Sequence, residues 1–152
     1  MRGILCFHFN KKMYGINIEE IKEIVEELPI APLFRVPECL SGVTNLRGKI
    51  LAVINMTLLF NSRPLNYTNT APRKFIIVGD TDNREAALIV DDIVEVKWLD
   101  ENSFQETPDT IDESENKYLS NLIKTGGSPI PVVDIKKLLG DELWKNIIKD
   151  LA

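Results

Sequence analysis

The chain has one histidine, His8, and two cysteines, Cys6 and Cys39, in 152 residues. A single imidazole supplies neither the base and orienting partner of a nucleophilic triad nor the ligand set of a zinc site. Two isolated thiols define no disulfide framework and fit the small apolar side chains of a reduced, cytosolic protein. No apolar run approaches the ~20 residues that span a bilayer. Met1 to Phe9 runs straight into a strand pattern, without the long apolar region and small-residue cleavage site of a secretory signal. The glycine spacings of Walker and dinucleotide-binding loops are missing. So is any basic excess: 18 Lys and Arg stand against 23 Asp and Glu, a net charge of −5, which argues against a nucleic-acid face. Asp91-Asp92 and the acidic stretch Asp109 to Glu115 lack the ligand order of an EF-hand and read as solvated loops. These absences lead us to expect no cofactor, no metal, no enzyme activity and no nucleic-acid or direct membrane partner, and leave protein as the partner class.

What remains is 44% hydrophobic and 27% charged, ordinary for a domain that buries a real core. Short strand signals dominate. Leu5, Phe7 and Phe9 alternate with Cys6, His8 and Asn10, so the first strand is expected to bury its odd-numbered face and leave the histidine on the other. Asn10-Lys11-Lys12 turns the chain into Tyr14–Ile18. Ile21, Ile24, Val25 and Leu28 form a stripe that on its own predicts a helix. Pro29, Pro32 and Pro37 keep the next stretch irregular, with one helical turn expected at Pro37 to Leu40. Two strands then meet at a tight corner, Gly42-Val43-Thr44-Asn45-Leu46-Arg47-Gly48-Lys49. The second of them, Lys49 to Met56, is apolar enough to be buried on both faces, and Gly48 supplies the positive φ that a tight turn needs. Asn61 to Pro72 reads as a connection. Strands are expected again at Lys74 to Gly79, Glu85 to Val90 and Asp91 to Leu99, and in a hairpin from Tyr118 to Ile135. Glu101 to Asn116 is expected to be the most mobile segment. Asp141 to Ala152 predicts an amphipathic helix with Leu143, Trp144, Ile147, Ile148 and Leu151 on one side.

The chain repeats itself. One constant shift carries Leu40-Ser41 onto Leu119-Ser120, Gly48 onto Gly127 and Leu51 to Met56 onto Ile130 to Ile135; another carries Ile16 to Ile24 onto Leu88 to Val96. Internal similarity of this kind marks a duplicated unit. Because the second copy alternates as a strand from Asp91, the first is expected to do so from Glu19, against the helical stripe. Each copy then holds about five short strands, a number that closes into a small barrel. The copies differ at the corner: Asn45-Leu46-Arg47-Gly48 in one is Lys124-Thr125-Gly126-Gly127 in the other. Scaffold should be shared by both copies and a specific task kept by one, so Arg47 is a candidate for function. Glu23 is expected beside it.

The series Tyr14 to Ile18, Ile21-Lys22-Glu23-Ile24, Pro37, Gly42 to Gly48 and Ile50 to Asn55 resembles the CheW family of chemotaxis coupling proteins, and Val90 to Val96 and Tyr118 to Leu139 resemble its second half. Ala52 and Asn55 depart from the Pro and Asp common in that family. The resemblance implies an all-β fold of two tandem SH3-like five-stranded β-barrel subdomains with short helices and a C-terminal helix. The expected division is one domain over 1–152, with subdomains 1–66 and 73–139 and the helix at 141–152. It implies a cytoplasmic adaptor that couples chemoreceptor cytoplasmic tips to the regulatory domain of the CheA histidine kinase and joins membrane receptor arrays through those partners. It places the contact at Ile21, Glu23, Ile24, Gly42, Asn45, Leu46, Arg47 and Gly48. The alternative is a regulatory module that binds a small ligand such as a purine.

Overall fold

The computed structural model describes residues 1–60, 73–107 and 117–151. Its strands are β1 (Arg2–Phe9), β2 (Lys12–Asn17), β3 (Ile21–Val25), β4 (Leu40–Leu46), β5 (Lys49–Asn55), β6 (Lys74–Gly79), β7 (Glu85–Val90), β8 (Asp92–Leu99), β9 (Phe104–Glu106), β10 (Leu119–Ile123) and β11 (Ile130–Val133). One-turn helices α1 (Met56–Leu59) and α2 (Ile135–Leu139) follow β5 and β11, and α3 (Lys145–Leu151) closes the chain. The connection at 61–72 and the acidic residues 108–116 lie outside the described residues.

Ile21 to Leu28 is not a helix. The strand β3 forms there instead, as the second copy indicates, but it starts at Ile21 rather than Glu19, after a 3-10 turn over Ile18–Glu20. The apolar spacing there comes from residues facing different packing partners along an edge strand.

Two sheets form, ordered β3-β6-β7-β5-β4 and β8-β1-β2-β11-β10-β9. Set side by side, the first five strands of each correspond, and β9 is an additional edge strand beside β10. In each, the first three strands are antiparallel, the third and fourth are parallel (β7 with β5, β2 with β11), and the last hairpin is antiparallel. The repeat is therefore structural. Sheet membership, however, does not follow the boundary between 1–66 and 73–139. The hairpin β1–β2 that opens the first half sits in the sheet of β8, β10 and β11, and the hairpin β6–β7 that opens the second half sits in the sheet of β3, β4 and β5. Each half lends its leading hairpin to the other.

Both faces of the central strands are consequently buried. Leu5, Phe7 and Phe9 face a shared core with Ala52, Ile54, Ile76, Val78, Leu88 and Val90. Leu51, Val53, Phe75, Ile77, Ala87 and Ile89 fill a second cluster inside the five-stranded sheet, and Ile4, Cys6, Ile123, Ile130 and Val132 fill a third inside the other. Each sheet thus curls around its own small core and presses its outer face on the shared one, the SH3-like arrangement, with open barrels. The expectation that β1 buries only its odd face is corrected: Ile4 and Cys6 are fully buried on the other side. His8 does lie on that side, partly exposed, with Nδ1 4.0 Å from Asp92 Oδ2.

The repeat extends to capping. Asn55 Oδ1 accepts from Leu58 N (3.2 Å) at α1, and Asp134 Oδ1 from Lys137 N (3.0 Å) at α2, each satisfying an orphan amide. The final helix is shorter than expected. Residues 142–144 form a turn, Leu143 is exposed, and Trp144 is buried with Nε1 donating to Leu138 O at 2.8 Å. Asp141 ties this turn down: its carboxylate accepts from the Leu143 amide (2.9 Å) and the Tyr118 hydroxyl, and Lys117 Nζ lies 3.0 Å away. Burial alone would raise the Asp141 carboxyl, but those donors together hold it below its usual value; burial first, and then the bond to Asp141, push the Tyr118 phenol up. Of the segment expected to be most mobile, Glu101–Ser103 forms a 3-10 turn and β9 pairs with β10, while 108–116 lies outside the described residues.

Candidate functional site

The corner between β4 and β5 is a two-residue turn. Leu46 pairs with Lys49, while Arg47 (φ 50°) and Gly48 (φ 85°) both lie in the left-handed region, the signature of a type I′ turn. Gly48 takes this conformation without strain; Arg47, with a Cβ, costs about 1 kcal/mol there. Asn45 helps hold the turn, its Oδ1 accepting from Gly48 N at 2.8 Å. The second copy solves its connection differently. The loop from Lys124 to Pro129 is longer, Thr125 Oγ1 bonds Ser128 O and Gly127 N, and no residue in it has positive φ. The tight corner with an arginine at its tip belongs to the first copy alone.

Gly42 is needed for a separate reason. Its φ is 147°, and a Cβ there would stand 2.1 Å from Ala31 O, because Ala31 and Val43 exchange amide hydrogen bonds of 2.8 and 2.9 Å beside it. Its contribution is to the scaffold behind the corner.

Arg47 Nη2 and Glu23 Oε1 are 2.5 Å apart, so the expected pairing is present. It closes an unexpected gap. β3 and β4 stand at opposite ends of the ladder order, and among the described residues no backbone pairing joins them. The sheet curls until its two ends face each other, and the ion pair crosses the mouth. With Arg47's side chain 70% exposed, such a pair contributes only ~0–1 kcal/mol to stability; its effect is to fix where the guanidinium fork points.

Below the pair lies a hollow of about 330 Å³ floored by Leu46, Leu51 and Ile77 and rimmed by Lys22, Glu23, Arg47, Lys49 and Glu85. A second ion pair, Lys49 Nζ to Glu85 Oε2 at 2.7 Å, parallels the first. Lys49 and Glu85 were not singled out from the sequence. Lys49 directly follows the corner and could have been; Glu85 reaches it only because β7 pairs in parallel with β5. Of the remaining candidates, Ile21 packs against the shared core and Ile24 is exposed, so the two isoleucines of that motif face different surroundings.

Chemically, this site offers a directed fork of donors, a framing set of charges and an apolar floor. It presents no nucleophile with a base, and among the described residues no group of His, Cys, Asp or Glu is arranged to hold a metal ion. No helix among them is long and apolar enough to cross a membrane.

Two small curled β-sheets sharing one core, with an arginine-tipped corner on one of them, define an all-β module of two SH3-like subdomains. The family model for the CheW-like domain matches residues 3–143, and the chain belongs to that family. It is similar to the chemotaxis protein CheW of Treponema pallidum, 28% identical over 141 residues that cover 91% of this chain and 82% of the relative. It is also similar to the CheW of Bacillus subtilis, 24% identical with 98% and 94% of the two chains covered. Among solved structures, the scaffolding protein TtCheW from Thermoanaerobacter tengcongensis superimposes with a TM-score of 0.79 at 28% identity, covering 93% of this chain and 94% of that one.

Proposed function

We propose that this chain is a chemotaxis adaptor: a cytoplasmic coupling protein that binds the cytoplasmic tip of a chemoreceptor and the regulatory domain of the CheA histidine kinase, and acts by holding the two together. Family membership and the near full-length match to proteins named for chemotaxis and scaffolding support the adaptor role. For the receptor contact, one observation carries the reading. A non-glycine residue is kept in the left-handed region at an exposed turn tip, and its side chain is aimed by a partner from the far end of the sheet. Positive φ alone does not single Arg47 out, since Lys11 also takes it at a hairpin tip; the Glu23 carboxylate that holds the side chain does. Glu23, Asn45, Leu46 and Gly48 serve the contact by orienting Arg47, with Ile24 as an apolar neighbour of the same surface.

The test is equilibrium binding of the whole chain to a soluble chemoreceptor cytoplasmic hairpin and, separately, to the CheA regulatory domain. Wild type binds both. Arg47→Glu weakens receptor binding by about tenfold or more, about 1.4 kcal/mol, with kinase binding and melting temperature held. A wild-type chain that binds neither partner overturns the adaptor reading; an Arg47→Glu chain that binds the receptor as well as wild type removes the corner from it.

A further inference from the structure

The ion pair across the mouth of the five-stranded sheet uses one residue of β3, yet two consecutive residues of that strand reach the hollow beneath it. The pairing of β3 with β6 shifts between Ile21, opposite Val78, and Glu23, opposite Ile77, so Lys22 is the extra residue of a β-bulge. A regular strand sends neighbours to opposite faces, and a bulge re-aims one of them. Lys22 and Glu23 accordingly both line the hollow floored by Leu46, Leu51 and Ile77.

Gly79, at the end of β6, makes room for the lysine. A Cβ there would stand 2.8 Å from Lys22 Cε and 3.3 Å from Glu85 Cγ. Gly79 is not in the left-handed region, so what this glycine supplies is space, and the apolar stem of Lys22 lies across it while the ammonium stays in water. The rim charges are then unequal. Glu23 is taken by Arg47 and Glu85 by Lys49. Lys22 is exposed and is the rim cation that makes no ion pair among the described residues. An apolar floor whose bordering carboxylates are both engaged, with one ammonium left over, is complementary to an apolar side chain that has a carboxylate beside it.

We propose that Lys22 determines which receptor tips this chain accepts: it takes the carboxylate of an Asp or Glu on the receptor, next to an apolar receptor side chain that seats on the Leu46, Leu51 and Ile77 floor. This rests on the receptor reading of the Arg47 corner and adds a charge requirement to it. A rim charge of this kind sets specificity and association rate more than total affinity.

Binding of the full chain to the soluble chemoreceptor hairpin at low and at physiological ionic strength tests it, with melting temperature as the fold control. At low salt Lys22→Glu weakens binding about tenfold and Lys22→Ala about threefold, and added salt shrinks both differences. Lys12→Glu, the same charge change on the other sheet, binds like wild type. Gly79→Ala keeps every charge but displaces the Lys22 stem, so it weakens binding on its own and adds nothing to Lys22→Ala. Changing the acidic residues of the hairpin tip to Lys one at a time finds one that restores binding to Lys22→Glu. The proposal is overturned by a Lys22→Glu chain that binds like wild type, by Gly79→Ala costing Lys22→Ala as much as it costs wild type, or by a tip in which no such change restores binding. With Arg47→Glu still impaired, those results remove Lys22 and leave the corner in place. An unimpaired Arg47→Glu chain, or a wild type that does not bind the hairpin, removes the receptor reading and this proposal with it.

Discussion

Glu20 ends the 3-10 turn before β3, half-buried, with Asn17 Nδ2 3.3 Å from its Oε1. Arg2 holds Asn17 in turn, through Nη2 at 3.0 Å. Burial is the main influence on this carboxyl; the Asn17 contact works against it, and the carboxylates of Asp134, Glu19 and Asp80 add to it, leaving the group raised to about 6. Folding therefore favours the protonated form. The native state is best served below the unfolded value of ~4.5 and loses stability as the pH climbs through about 6. Glu20→Gln is expected to melt about 2–4 °C higher than wild type at pH 8, about 1 kcal/mol after solvent screening, with the difference shrinking toward pH 4.5. Thermal melts across that range check it; a constant difference at every pH would assign the effect to packing. At this scale the sequence was informative where the two copies disagree. Arg47 stood out as a residue one copy has and the other lacks, and Glu23 followed from its motif. Glu20 and Glu85 were not legible, because what distinguishes them is which charge the fold brings near; Lys49 was, by its place after the corner.

Elements tell a similar story with different physics. β3 was legible only through its counterpart: its own spacing fits a helix, and β8 settles the period because its alternation is unambiguous. The second buried face of β1 was missed because His8 and Asn10 set a polar alternation that Ile4 and Cys6, both apolar, do not follow. The final helix was read with its apolar side too wide. Leu143 belongs to a turn shaped by Asp141 and is exposed, whereas Trp144 carries the attachment. Trp144 is 1% exposed, stacks near Tyr118 with ring centroids 6.2 Å apart, and joins the core shared by both sheets. Trp144→Ala is expected to destabilise the whole chain by about 3–5 kcal/mol in denaturant titration, in one transition. A separate early transition for the C-terminal segment, with the rest unchanged, would mean that it is an appendage.

For the whole molecule, the duplication was visible in the sequence and the exchange of hairpins was not. Similarity between copies says which strands are equivalent, but equivalent strands can pair within a copy or across copies without any change in pattern. The exchange makes the halves interdependent. Residues 1–60 hold β3 without its neighbour β6, β5 without β7 and β2 without β11. Neither residues 1–66 nor residues 67–152, expressed alone, is expected to give a cooperative melt, and mixing them is expected to restore the native circular dichroism spectrum and a one-to-one complex on gel filtration. A half that folds by itself would contradict the pairing described above.

The exchange also imposes an order in time. On the ribosome, all five strands of the sheet β3-β6-β7-β5-β4 have been made once residue 90 has emerged, whereas β1 and β2, the first strands synthesised, have no sheet to join until β8 and β11 follow. At about 5–20 residues per second, the oldest hairpin waits seconds for its youngest neighbour. Until then Phe7, Phe9 and Tyr14 can pack only on the part of the shared core that the five-stranded sheet and Phe60 supply, and the part that Tyr118, Leu119, Val133 and Trp144 supply is missing. The last third of the chain thus closes a core that its first strands began.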